Sequence, residues 1–129
     1  MTETVGKDPE KKGKVALIVD DDPQILELVD EILKDGGHST WKVSTISDAL
    51  SLLQKKEFDV AILDIYLPDG TGLELAGKIK SLKPELPVVI MTGTPRSGNI
   101  RESVDAEVDA YLVKPVSAGN LLSLVEELA

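Results

Sequence analysis

At 129 residues, 42% hydrophobic and 29% charged, the chain has the length of one domain and enough apolar material for one core. Its formal net charge of −9 argues against unassisted binding to nucleic acid or an anionic membrane surface, and suits a cation or a basic partner instead. The absence of cysteine excludes a disulfide or a thiolate metal site. The apolar runs are far too short to cross a membrane. The amino terminus lacks the apolar centre of a signal peptide, so a soluble protein in a cytoplasmic setting is expected.

Residues 1–13 are polar and aperiodic and read as a flexible tail, leaving 14–129 as the domain. Val15–Val19 is a continuous apolar run, as expected of a strand buried on both faces. It ends at Asp20-Asp21-Asp22-Pro23, where Pro23 suits the first turn of a helix. That helix puts Ile25, Leu28, Val29, Ile32 and Leu33 on one stripe and stops at Gly36-Gly37. A second strand is expected near Thr40–Thr45, then a helix with Ser47 as its N-cap. Val60–Leu63 forms a third strand ending at Asp64, followed by the turn Leu67-Pro68-Asp69-Gly70. Gly70-Thr71-Gly72 serves the entry to a helix carrying Leu73, Leu75, Ala76, Ile79 and Leu82. A fourth strand, Pro87–Met91, ends at Thr92-Gly93, and a weaker helix is expected around Asn99–Ala106. A fifth strand, Ala110–Val113, ends at Lys114-Pro115, and the last helix covers about Asn120–Leu128.

Five strand-then-helix units predict a three-layer, doubly wound α/β fold with a five-stranded parallel sheet. Two five-stranded orders fit, and the flavodoxin-like order 2-1-3-4-5 is favoured. In that order the first and third strands are neighbours at the topological switch, and ligands bind outside the carboxyl ends of the strands.

Those ends carry the chemistry. The first strand offers Asp20, Asp21 and Asp22, and the third offers Asp64. Two like charges about 4 Å apart repel by roughly 4 kcal/mol at an effective dielectric of 20, so such a cluster calls for a cation. Carboxylate oxygens without nearby His or Cys favour Mg²⁺ or Mn²⁺ over zinc. Thr92 adds a hydroxyl and Lys114 a long cation at the ends of the fourth and fifth strands. A carboxylate can act as a covalent nucleophile, and phosphoryl transfer needs mainly positioning and charge neutralisation. Each piece has an ordinary explanation: an acidic helix cap, a turn aspartate, a β-prone threonine, a solvated lysine. Their co-occurrence at four strand ends around one crevice is what those explanations leave out.

The runs VALIVDDDP, AILDIYLPDGTG, VVIMTG and AYLVKP resemble the bacterial response-regulator receiver family over about residues 14–128. The resemblance implies that Asp64 is the phosphoacceptor and that Asp21 binds Mg²⁺ directly, with Asp20 acting through a water. It implies a third protein ligand in the backbone carbonyl of Tyr66. Thr92 would contact the phosphoryl group, Lys114 would pair with the acyl phosphate, and Lys114-Pro115 would be cis. Tyr111 takes the place of the aromatic that turns inward as Thr92 moves, and Asp22 is left as helix-capping acid.

The implied partners are a sensor histidine kinase or phosphotransfer domain, and an output domain or downstream protein. The switched surface would be formed by the fourth helix, fifth strand and last helix. Glu107 stands where the family often has glycine, and the last helix lacks the Lys or Arg of a salt-bridged dimer. The sequence holds no output domain, so a stand-alone receiver or a piece of a longer regulator or hybrid kinase is expected.

Two other readings are a flavin-binding redox protein and an aspartyl phosphatase. The first is opposed by 3% aromatic residues and an Asp triplet in the phosphate-loop position, the second by Tyr66 where such enzymes carry a second Asp. Of the remaining residues, Trp41 is read as packing or partly exposed, and His38 as a loop residue rather than a phosphorelay histidine. Arg96 and Arg101 are read as solvating, and Tyr66 and Thr94 as tuning the phosphoryl lifetime.

Overall fold

The computed structural model describes residues 13–93 and 108–129. The expected helix at 99–106, together with Thr94, Arg96, Arg101 and Glu107, lies outside the described residues, as does the tail up to residue 12. Strands β1 (Val15–Val19), β2 (Ser39–Val43), β3 (Val60–Asp64), β6 (Val88–Thr92) and β7 (Ala110–Val113) form one parallel sheet in the order β2-β1-β3-β6-β7. This is the expected flavodoxin-like order. The region between Asp64 and the next helix is more structured than a plain turn. There β4 (Tyr66–Leu67) and β5 (Gly70–Thr71) pair antiparallel as a small hairpin.

Helices α1 (Pro23–Asp35), α2 (Ile46–Lys55), α3 (Gly72–Leu82) and α4 (Ala118–Leu128) cover the sheet. Successive strand residues point to opposite faces, so each central strand feeds two cores. Ala16, Ile18, Val60, Ile62, Val89 and Met91 pack with α1 and α4. Leu17, Val19, Ala61, Leu63, Val88 and Ile90 pack with α2 and α3. This double burial explains why those strands read as unbroken apolar runs rather than alternating ones. Strand β2 is one edge of the sheet, and Trp41 on it is 41% exposed with the Lys56 ammonium 4.2 Å from its ring centre.

Several local expectations shift. Leu28, on the expected apolar stripe of α1, is 39% exposed, and Leu82 at the end of α3 is 52% exposed. Asp30 is buried in α1 instead, where its carboxylate accepts from Thr40 Oγ1 and pairs with Lys42 and Lys34. The N-cap of α2 is Thr45, whose side chain accepts from Asp48 N, and not Ser47. The helix begins early because the Asp69 carboxylate accepts from the Ile46 and Ser47 amides, meeting donors that a later cap would have left outside. Asp22 caps α1 by accepting from Gln24 N, as expected. Thr71 and Glu74 close a reciprocal capping box on α3.

Candidate functional site

The two central strands set the site. Residues of β1 and β3 pair up to Val19 with Leu63, so Asp20 and Asp64 leave the sheet side by side. Asp20 is fully buried, and Asp64 has a side chain 15% exposed. Carboxylate oxygens of Asp20, Asp21 and Asp64 lie within 4.8 Å of one another. The Lys114 ammonium bridges two of these acids, 3.2 Å from Asp20 Oδ2 and 3.1 Å from Asp64 Oδ1. Asp20 Oδ1 also accepts from Asp22 N, and Asp64 Oδ1 from Ile65 N, each at 2.9 Å.

The charges are strongly coupled. Burial pushes the Asp20 carboxyl above its ordinary range, and the Asp64 charge adds to this, against the opposing pull of the Asp22 amide and Lys114. Burial alone would lower the Lys114 ammonium. The Asp64 hydrogen bond and the charges of Asp20 and Asp64 outweigh it and hold the ammonium above its usual value. Three acids beside one lysine leave the cluster net negative. Their hard oxygen donors fit a divalent cation of the Mg²⁺ type, so the residues present can hold such an ion.

Thr92 closes β6, and its carbonyl accepts from Lys114 N at 2.8 Å, so hydroxyl and ammonium come from adjoining strand ends. Thr92 is buried, and the Lys114-Pro115 peptide is cis, as the resemblance implied. Tyr111 lies opposite Ile90 and packs, half-buried, against the α2–α3 core. Tyr66 is 73% exposed at the start of the hairpin, two residues after Asp64.

Two residues that shape this site were not singled out for it from sequence. A Cβ on Gly72 would stand 2.0 Å from the Asp64 carbonyl oxygen, and Gly72 N donates to Ile65 O at 2.6 Å. Glycine at this place lets α3 begin directly beneath Asp64. Asp69, read as a turn residue, clasps the start of α2 at 2.9 and 3.1 Å. The Ile46 amide first, and then the Ser47 amide, lower its carboxyl below the usual range. The signal that could have found Gly72 is its place at the first turn of a helix two residues past a tight turn. The Asp69 contact spans 23 residues of sequence and left no local signature.

Comparison with known proteins follows the same lines. A family model described as the response regulator receiver domain matches residues 16–126. The response regulator protein PilR of Pseudomonas aeruginosa is 36% identical over 110 residues, covering 85% of this chain and 25% of PilR. The regulatory protein VanR of Enterococcus faecium is 34% identical over 110 residues, 85% of this chain and 47% of VanR. The chain thus spans from a quarter to about half the length of these curated relatives. Among solved structures, the chemotaxis response regulator CheY4 of Vibrio cholerae superposes with a TM-score of 0.83 at 27% identity. That match covers 92% of this chain and all of CheY4, 100%.

Proposed function

This chain belongs to the response regulator receiver domain family, and from that premise we propose that Asp64 is its phosphoacceptor. Receiver domains are signalling switches in two-component systems. The reading is carried by one observation: Asp20, Asp21, Asp64 and Lys114 converge at the carboxyl ends of β1, β3 and β7, with Thr92 ending the strand between.

The donor is a phosphohistidine of a sensor kinase or phosphotransfer domain. An Asp64 carboxylate oxygen attacks phosphorus, the P–N bond breaks, and its electron pair returns to the imidazole. The new bond makes a mixed anhydride, an acyl phosphate. Asp20, Asp21, Asp64 and the Tyr66 carbonyl would hold the metal. Mg²⁺, when bound there, supplies charge neutralisation for the carboxylates and the transferring oxygens. Lys114 already sits on Asp64 and keeps its contact as the carboxylate becomes an acyl phosphate. Thr92 donates its hydroxyl to the new dianion. Attack of water on phosphorus later releases inorganic phosphate and restores the carboxylate.

Phosphorylation shifts the population of two states. Because Thr92 O is hydrogen-bonded to Lys114 N, a move of Thr92 is transmitted to β7, where Tyr111 and the 44% exposed Val113 reside. Together with α4, β7 contributes to the surface offered to an output domain or downstream protein. The working unit is 14–129, preceded by the segment 1–13, in a cytoplasmic setting. Among the described residues no helix is long and apolar enough to cross a membrane.

Intact mass after incubation with MgCl₂ and acetyl phosphate tests this reading. The native chain gains one phosphoryl group, while Asp64→Asn and the chelated native chain gain none. A native chain that binds Mg²⁺ yet stays unmodified by acetyl phosphate and by phosphohistidine donors sinks it.

A further inference from the structure

The hairpin that follows Asp64 is pinned at two ends. At its base, Gly72 N donates to Ile65 O and the Gly72 Cα lies against the Asp64 carbonyl. At its tip, the Asp69 carboxylate accepts from both Ile46 N and Ser47 N, and Gly70 approaches the Ile46 side chain so closely that a Cβ would stand 2.8 Å from its Cδ1. Ile46 and Ser47 close a short connection out of β2. The other end of that connection is Val43, whose carbonyl accepts from Asp20 N at 3.2 Å. Five consecutive residues, 43–47, therefore touch the buried acid of β1 on one side and the hairpin after β3 on the other.

We infer that Asp69 is a positioning residue of the phosphorylation site: through the Ile46 and Ser47 amides it locks the hairpin, and with it the Tyr66 carbonyl, to the connection that also holds Asp20. This rests on the reading of Tyr66 as a metal-binding carbonyl. Two charge-assisted hydrogen bonds from rigid helix amides define the hairpin tip better than a loop of this length defines itself. A carbonyl ligand set by a loose hairpin costs metal affinity, because outer partners orient the inner ligands. The contact also caps α2, and that ordinary role has to be separated from the positioning one. Thr45 provides the separation, since its side chain caps the same helix from within by accepting from Asp48 N.

The test measures Mg²⁺ affinity by linkage. Native protein, Asp69→Ala, Asp69→Asn and Thr45→Ala are unfolded in urea at increasing MgCl₂, with Trp41 fluorescence as the signal. The added stability at each concentration returns the dissociation constant irrespective of starting stability. Asp69→Ala is expected to weaken Mg²⁺ binding roughly tenfold, the lower end for outer partners of metal ligands. Asp69→Asn, which keeps one acceptor oxygen, falls between it and the native protein. Thr45→Ala lowers the metal-free unfolding midpoint and leaves the dissociation constant unchanged. Native affinity in Asp69→Ala, or an equal loss in Thr45→Ala, overturns the inference and leaves Asp69 a helix cap. A native protein that Mg²⁺ does not stabilise overturns the metal-site reading itself, and the inference falls with it.

Discussion

Aspartates stand at both ends of the central sheet and serve opposite purposes. At the amino end, Asp59 precedes β3 and Asp109 precedes β7. Asp59 accepts from Val15 N at 2.7 Å while its own amide donates to Val15 O at 2.7 Å. Asp109 repeats the clasp with Val88, at 2.8 Å in both directions, and adds Lys80 at 2.9 Å. Each of these acids meets a backbone N–H at the start of the neighbouring strand. At the carboxyl end such donors are already engaged: Asp20 N goes to Val43 O and Lys114 N to Thr92 O. The acids there share one lysine and a single local amide each, and Asp20 is buried. The lesson is that the same residue type is structural where the sheet neutralises it and chemical where the sheet cannot. The unneutralised end is the end whose acids could hold a cation.

That contrast can be broken by substitution. The largest effect is expected of Lys114→Ala, which strands Asp20 and Asp64 against each other. The cost is roughly 3 kcal/mol, the lower end for breaking a buried pair, because Lys114 keeps some exposure. MgCl₂ should recover part of it in urea unfolding, and no recovery would mean that the acids are not a cation site. Next comes Asp109→Ala, which leaves the Val88 amide without its carboxylate acceptor. A loss of about 1–2 kcal/mol is expected, and MgCl₂ should not restore any of it. If it does, the two ends are not distinct.

The smallest and most discriminating change is Asp20→Asn. Because the folded Asp20 pKa is raised, its contribution to stability is present below the ordinary value of 3.8 and is lost as pH rises through the folded value. Metal-free Asp20→Asn should therefore gain stability on the native protein across that rise, and should lose its stabilisation by MgCl₂. A metal-free variant less stable than the native protein at neutral pH would contradict the crowding described for this end.

The sequence made the carboxyl end legible because each strand there stops abruptly on a residue with chemistry: Asp20, Asp64, Thr92 and Lys114. A break from an apolar run to a charged residue is a local event, and strand adjacency follows from the fold class. The amino end was illegible for the converse reason. Asp59 and Asp109 look like ordinary loop acids, since their partners Val15 and Val88 are 44 and 21 residues away. His38, read as a loop residue beside Gly37, does lie just before β2, and its Nδ1 accepts from Lys14 N at 2.9 Å, a contact 24 residues away that no local pattern announces. Ser47 reads as the cap because Thr45 reads as the end of the second strand, and the distant Asp69, which engages the Ile46 and Ser47 amides, leaves no local sign that the helix starts earlier. The hairpin after Asp64 escaped notice because two-residue strands carry no period.

The most direct test of the account is to locate the phosphoryl group itself. Native protein treated with acetyl phosphate and MgCl₂ is reduced with borohydride, which converts an acyl phosphate to homoserine, and the peptides are then weighed. The account predicts homoserine at position 64 alone, and only when Mg²⁺ was present. Homoserine at position 20 or 21, or none at 64 in a protein that demonstrably gained a phosphoryl group, would contradict it.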